Sequence, residues 1–145
     1  MKGAADSAPR VTHLLETALY VDDIQRSVDF YRSVFGFETL GSMNARLAAL
    51  DVGGSDVLLI FQRGGTADGV DTGNGIIPPH DGSGPSHFAF AIEKQDVERW
   101  ARHLESLGVP IESRVTWERG GVSIYFRDPD GHSVEVVTPG TWATY

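Results

Sequence analysis

The 145-residue chain contains no cysteine. Disulfide scaffolds, thiolate zinc knuckles and cysteine nucleophiles are thereby excluded, which leaves His, Asp and Glu as the strong metal ligands. Long apolar runs are also missing. Nothing approaches the roughly 20 residues of a membrane span, and MKGAADSAPR at the N-terminus lacks the apolar core of a signal peptide. Basic residues are scarce, with 12 Lys and Arg against 20 Asp and Glu for a net charge of -8. No basic stripe is present to meet nucleic acid or an anionic membrane. The expectations are a small-molecule partner, a cytoplasmic location, and one domain large enough to bury a core without cross-links.

What the sequence does have is organised around Ser123–Pro139, SIYFRDPDGHSVEVVTP. Asp128-Pro129-Asp130-Gly131 has the composition of a turn between two runs rich in β-branched and aromatic residues, which predicts a hairpin. In the second run Glu135 alternates with Val134 and Val136, so it points to the opposite face. An acid on an inner strand face is costly unless a cation meets it.

Elsewhere, residues 1–12 read as a flexible leader, and Leu14–Val21 as a strand followed by an Asp22-Asp23 helix cap. Ile24, Val28, Tyr31 and Phe35 stripe one face of the predicted helix, which Gly36 ends. Phe37–Leu40, Arg46–Val52 and Val57–Gln62 read as strands. Residues 63–85 hold seven glycines and three prolines, which predicts a linker or lid with no regular element. The first pattern then recurs: a strand over Ser86–Ile92, a helix striped by Val97, Trp100, Leu104 and Leu107, and strands over Ile111–Trp117, Val122–Phe126 and His132–Thr138. Two βαβββ modules, residues 13–62 and 86–139, thus form one structural domain, with 140–145 as a tail.

The modules overlay. Ala18-Leu19-Tyr20-Val21 falls on Ala89-Phe90-Ala91-Ile92, and Phe35-Gly36-Phe37 on Leu107-Gly108-Val109, at offsets of 71 and 72 residues. A period of that size indicates a duplicated unit whose sheet needs a partner to cover its inner face. Under the overlay Glu16 and His87 are equivalent, each opening its module's first strand. Glu16 shares a face with Ala18 and Tyr20, and His87 with Ala89 and Ala91, so small residues leave room beside both. Counting from the turns puts Leu58 opposite Glu135, which makes the fourth symmetric position apolar.

The expectation is a three-residue metal site, Glu16, His87 and Glu135, with open positions on the ion. Two carboxylates and a neutral imidazole match a dication, and the oxygen bias favours manganese, iron, zinc or magnesium over copper. The plainer reading of each residue alone is a solvated or Arg-paired Glu and a hydrogen-bonded His. Equivalent placement in a duplicated fold favours the joint site. His13, His103 and His132 are expected to be structural or exposed, and His80 is a candidate lid residue.

The segments ALYVDDIQRSVDFYRSVFGFE, HFAFAI, LGVPI and YFRDPDGHSVEVVTP, in this order, resemble the vicinal oxygen chelate superfamily of glyoxalase I, extradiol dioxygenases, fosfomycin-resistance enzymes and bleomycin-resistance proteins. The likeness runs from residue 14 to residue 139. It implies an α+β fold in which two βαβββ modules form a cupped mixed sheet with helices on the outer face. A divalent ion (Mn, Fe, Zn, Ni or Mg) is then expected inside the cup. Family ligand positions fall on Glu16, where many members have His, and on His87 and Glu135. The fourth position, used by glyoxalase I, falls on Leu58 or Leu59, neither of which can ligate, and this counts against glyoxalase I activity. The resemblance also implies a homodimer in which Glu16 of one subunit meets His87 and Glu135 of the other.

The run SIYFRDPDGHSVEV is most similar to the fosfomycin-resistance branch, where the tyrosine matching Tyr125 lies near the substrate. Ala18 stands where that branch has threonine, and its basic C-terminal tail is missing. The resemblance thus implies a metal-dependent enzyme that binds two vicinal oxygens of a small substrate and stabilises an oxyanion. Glu135 and Tyr125 are the expected catalytic residues, and Tyr20, Arg46, Trp117 and Arg119 the expected substrate contacts. The rival expectation on the same fold is a metal-free sequestration protein of the bleomycin-resistance type, in which Glu16 and Glu135 attract a cationic drug and His87 only hydrogen-bonds.

Overall fold

The computed structural model describes residues 7–145, so residues 1–6 of the expected leader lie outside the described residues. In β1 (Glu16–Val21) the sequence ETALYV alternates: Glu16 and Ala18 are exposed, while Leu19 and Val21 are buried on the other face. Asp23 caps α1 (Ile24–Phe35), its carboxylate accepting from the Arg26 N–H at 3.0 Å. Ile24, Val28 and Tyr31 are buried as the stripe predicts, and Val34 joins them. The Phe35 ring ends the helix in an aromatic cluster, 4.9 Å from Phe37, 4.6 Å from Phe90 and 5.4 Å from Trp100 between centroids.

β2 (Leu47–Val52) and β3 (Asp56–Gln62) complete the first sheet in the order β1-β3-β2, with β1 parallel and β2 antiparallel to β3. The strand expected over Phe37–Leu40 is reduced to one bridge, Thr39 to Leu50. Hydrogen bonds from Leu40 N to Ala49 O and from Asp51 N to Glu38 O, each 2.8 Å, flank that bridge. Phe37 is recruited into the aromatic cluster, and the chain touches the sheet edge only in passing. The 63–85 segment also departs from expectation, because β4 (Val70–Asp71) and β5 (Ile76–Ile77) pair in a short antiparallel ladder closed by a 3.0 Å bond from Thr72 N to Gly75 O.

The second module contains β6 (His87–Ala91), a 3-10 turn over Lys94–Asp96, α2 (Val97–Ser106), β7 (Ile111–Thr116), β8 (Val122–Arg127) and β9 (Ser133–Val137). Its sheet has the order β6-β9-β8-β7. Val97 and Leu104 are buried, but Leu107 lies past the end of α2 and is 42% exposed, so it drops out of the expected stripe. No helix among the described residues is long and apolar enough to cross a membrane.

Both modules feed one core: Leu19, Val21, Val28 and Tyr31 from the first pack in the same cluster as Ile124, Phe126, Val134 and Val136 from the second. The β8–β9 turn locks the seam. The buried Tyr31 hydroxyl donates to Asp128 Oδ2 at 2.7 Å, while Asp128 Oδ1 accepts from the N–H groups of Asp130 at 3.0 Å and His132 at 2.9 Å. Gly131 supplies the φ of 82° that the turn requires. Burial, and after it the Asp128 charge, pushes the Tyr31 phenol far above its ordinary value, so it stays a donor. His132 is buried, its Nδ1 accepting from Ser86 N at 2.8 Å and its Nε2–H donating to Tyr20 O at 3.0 Å. His103 Nε2–H likewise donates to Val34 O at 2.8 Å.

Tyr31→Phe removes the only side-chain donor on Asp128 Oδ2 among the described residues. It should cost about 1.5–3 kcal/mol, the range for a hydrogen bond to a charged group, and lower the melting temperature by about 5–10 °C. An unchanged thermal melt would show that this contact does not join the modules.

The shared core and both helices lie on one side of the two sheets. The alternate face, with Glu16, Ala18, His87, Ala89 and Ala91 exposed, stays open in each module.

Candidate functional site

In the second module, register gathers the polar residues on that open face. His87 pairs with Ser133, Ala89 with Glu135, Glu135 with Tyr125, and Tyr125 with Ser113. Directly paired residues project to the same side, so His87, Glu135, Tyr125 and Ser113 share the inner face.

Glu135 is only 6% exposed, yet neither of its oxygens is left without a neighbour. Oε2 accepts from Ser123 Oγ at 2.5 Å, and Ser123 Oγ accepts in turn from the Trp117 indole N–H at 2.8 Å. Oε1 lies 3.2 Å from His87 Nε2. His87 Nδ1 lies 3.0 Å from the Ser133 carbonyl oxygen. A carbonyl can only accept, so Nδ1 carries the proton, and Nε2 is left to donate to Glu135 or to offer a lone pair to an ion. Two ligand atoms each about 2.1 Å from one ion stand about 3.0–3.4 Å apart in octahedral or tetrahedral geometry. The His87–Glu135 spacing suits that requirement without movement.

The Tyr125 ring lies 6.0 Å from that of His87. Burial raises its phenol above the ordinary value; the Ser123 hydroxyl opposes the shift and the Glu135 charge adds to it. Tyr125 is therefore a neutral donor beside the pair.

In the first module Glu16 pairs with Val57, Ala18 with Leu59 and Tyr20 with Phe61. Ala18–Leu59 is the counterpart of Ala89–Glu135, which makes Leu59 the fourth symmetric position. Leu58 does not hold it: it pairs with Thr17 and is 1% exposed on the core face. The β2–β3 turn spans Gly53–Ser55 and the β8–β9 turn spans Asp128–His132, so a count taken through the turns slips by one residue and lands on the wrong face.

Glu16 is exposed on β1, in a different sheet from His87 and Glu135. Among the described residues, no three His, Asp or Glu side chains of a single chain stand close enough to hold one ion. The chain brings His87, Glu135 and Tyr125 together and leaves Glu16 apart. A hollow of about 720 Å³ opens between the two first strands, lined by Glu16, Thr17, His87 and Ala89 and, on the core side, by Phe35, Phe37, Phe88, Phe90 and Trp100.

The expected substrate contacts scatter. Trp117 reaches the site through Ser123. Tyr20 stands at the far end of the Glu16 face, its hydroxyl 2.6 Å from His80 Nδ1. The Arg46 Nε–H donates to Gly65 O at 2.8 Å, and Arg119 is exposed in the β7–β8 turn. Ser113, Ser123 and the Ser133 carbonyl were not foreseen. Counting outward from the Asp128–Gly131 turn finds Ser123, because it pairs Tyr125 with Glu135 and places Ser123 beside them on the same face.

Comparison with known proteins agrees with this architecture. The family model described as the Glyoxalase/Bleomycin resistance protein/Dioxygenase superfamily matches residues 10–136. Glutathione transferase FosA of Serratia marcescens is 33% identical over 118 residues, covering 81% of this chain and 74% of that protein. Metallothiol transferase FosB of Bacillus licheniformis is 33% identical over 129 residues, covering 88% of this chain and 74% of its own. Among solved structures, a lactoylglutathione lyase from Agrobacterium tumefaciens superposes with a TM-score of 0.84 at 35% identity over 93% of this chain and 99% of that one. With its duplicated modules, its open polar face and a match that spans both halves, the chain belongs to the glyoxalase/bleomycin resistance protein/dioxygenase superfamily.

Proposed function

We propose that the protein is a divalent-metal-dependent enzyme that takes a small substrate through two adjacent oxygens, at a site shared by two copies of the chain. The observation that carries this reading is the His87–Glu135 pair. An imidazole with Nδ1 committed to a carbonyl presents Nε2 at 3.2 Å from a carboxylate oxygen, on an open face lined by small residues. Glu16 of the partner subunit would complete the ligand set. A divalent ion held there supplies Lewis-acid stabilisation to negative charge developing on a substrate oxygen.

The chain's own groups do the rest. Ser123, held by Trp117, fixes the rotamer of Glu135, and Ser133 fixes the ring of His87. Tyr125, paired with Glu135 across the β8–β9 hairpin, would donate a hydrogen bond to a substrate oxygen, and the small Ala89 and Ala91 leave room on the same face for the substrate's body. The names of the relatives above, a glutathione transferase, a metallothiol transferase and a lactoylglutathione lyase, share a thiol or thiol adduct as reactant. This chain has no cysteine, so any thiol in its reaction arrives as a small co-substrate.

One observation favours the metal-free sequestration reading: with a proton on Nε2 as well, His87 donates to Glu135 and the pair is satisfied within the single chain. Titration of metal-free protein with manganese, iron, zinc, nickel and magnesium separates the two. The enzyme reading expects one ion per chain for at least one metal, and about 2.7 kcal/mol of added stability at a hundredfold excess over Kd. No bound ion and no thermal shift with any of the five would leave the sequestration reading in its place.

A further inference from the structure

The row Tyr20, Phe61 and Leu47 on the inner face of the first module has no part in the chemistry above. It lies four residues along β1 from Glu16, about 13 Å at about 3.3 Å per residue. The 63–85 segment is fastened over it. His80 N donates to Thr66 O at 3.0 Å while the buried Thr66 hydroxyl donates back to His80 O, and Asp81 Oδ1 accepts from Gly64 N at 3.1 Å and Gly82 N at 2.9 Å. These backbone donors, with Arg63 adding less, hold the Asp81 carboxyl below its ordinary range. Gly82 presses on the tyrosine ring so closely that a Cβ there would stand 2.5 Å from Tyr20 Cδ2.

The fastening carries one imidazole into the cup wall. The His80 ring packs edge-on against Phe61 at 4.6 Å and against Tyr20 at 5.8 Å. Its Nδ1 lies 2.6 Å from the Tyr20 hydroxyl, which has no other partner among the described residues. A partly buried phenol seeks an acceptor, and burial, with the Asp81 charge, keeps this one protonated. The Tyr20 O–H therefore donates to Nδ1, and the His80 proton sits on Nε2, which has no partner among the described residues.

We infer that Tyr20, Phe61 and His80 form a distal subsite that takes the far end of the substrate, a flat aromatic or conjugated group bearing an acceptor oxygen. The group lies against the part-exposed edges that Phe61, Tyr20 and His80 leave beside the segment, and Nε2–H donates to its oxygen. The inference rests on the proposed shared cup, in which this wall of one subunit faces His87 and Glu135 of the partner subunit.

Two measurements test it. Long-range proton–nitrogen spectra of the metal-free protein should show His80 as the Nε2–H tautomer, and Tyr20→Phe should release it to a mixture; an Nδ1–H tautomer in the unaltered protein overturns the assignment. On zinc-loaded protein, 9-oxo-9-phenylnonanohydroxamate, whose extended chain carries its aryl ketone as far as the Tyr20 row, should bind at least tenfold tighter than acetohydroxamate. His80→Ala and His80→Phe should each erase that advantage and leave acetohydroxamate binding unchanged. Equal affinities in the unaltered protein overturn the subsite while the metal reading stands. Should neither zinc nor either hydroxamate bind, the metal reading fails instead, and acetophenone added to metal-free protein decides the subsite: shifts at His80 and Tyr20 uphold it and their absence overturns it.

Discussion

Glu135→Gln is expected to lower the affinity for zinc or manganese by at least about a hundredfold and to leave the metal-free protein as stable as before, or more so. The two halves of this expectation come from the same geometry. Glu135 is 6% exposed and is held by Ser123 on one oxygen and by His87 beside the other. A glutamine keeps the shape, still accepts from Ser123 through its oxygen, and turns its amide N–H toward the His87 Nε2 lone pair. Nothing buried is left unpaired, and a buried charge is removed, which in other proteins is often neutral or stabilising. What is lost is the anionic ligand. Deleting outer partners of metal ligands typically costs ten- to a hundredfold in affinity, so losing a ligand itself should cost at least the upper end of that range. Ser123→Ala, which touches only the outer partner, should fall inside the range. Calorimetric titration with thermal melts of both variants checks this. If Glu135→Gln binds metal as tightly as the unaltered protein, Glu135 is not a ligand; if it unfolds without metal, the carboxylate serves the fold instead.

How much of this was readable beforehand depends on how local the cause is. The alternation in ETALYV and HFAFAI, the DPDG turn and the 71-residue offset are short-range signals, and each maps onto an observed strand, turn or symmetric pair. The same alternation correctly put Glu16 with Ala18 and Tyr20, and His87 with Ala89 and Ala91. Phe37–Leu40 misled because a strand needs a neighbour as well as a propensity. Its partner β2 offers one bridge, and Phe37 gains more by stacking 4.9 Å from Phe35. Leu58 misled for a different reason, since a one-residue slip reverses a side chain's face and the two turns differ in length. The Trp117–Ser123 and Tyr20–His80 contacts depend on where separate segments meet, and only the Ser123–Glu135 link was recoverable, from the hairpin's register.

The separation of Glu16 from His87 and Glu135 sets up the second large effect. Both inner faces open on the side away from the shared core, and the first strands of the two modules flank a hollow without pairing to each other. Closing the cup within one chain would require one module to fold over the other, which would break the Tyr31–Asp128 and Tyr20–His132 contacts that join them. A second copy related by a two-fold axis can instead set the first module of each chain against the second module of the other, making two equivalent sites. Glu16→Ala and Glu135→Ala should then each abolish metal binding alone. After subunit exchange, each heterodimer regains one intact site, Glu16 coming from one chain and His87 with Glu135 from the other. Half of the randomly re-assorted dimers are mixed, so the mixture should hold about a quarter of a site per chain where the separate variants hold none. A site built within one chain predicts zero before and after mixing, and a protein that sediments as a monomer at every concentration tested would exclude the shared cup altogether.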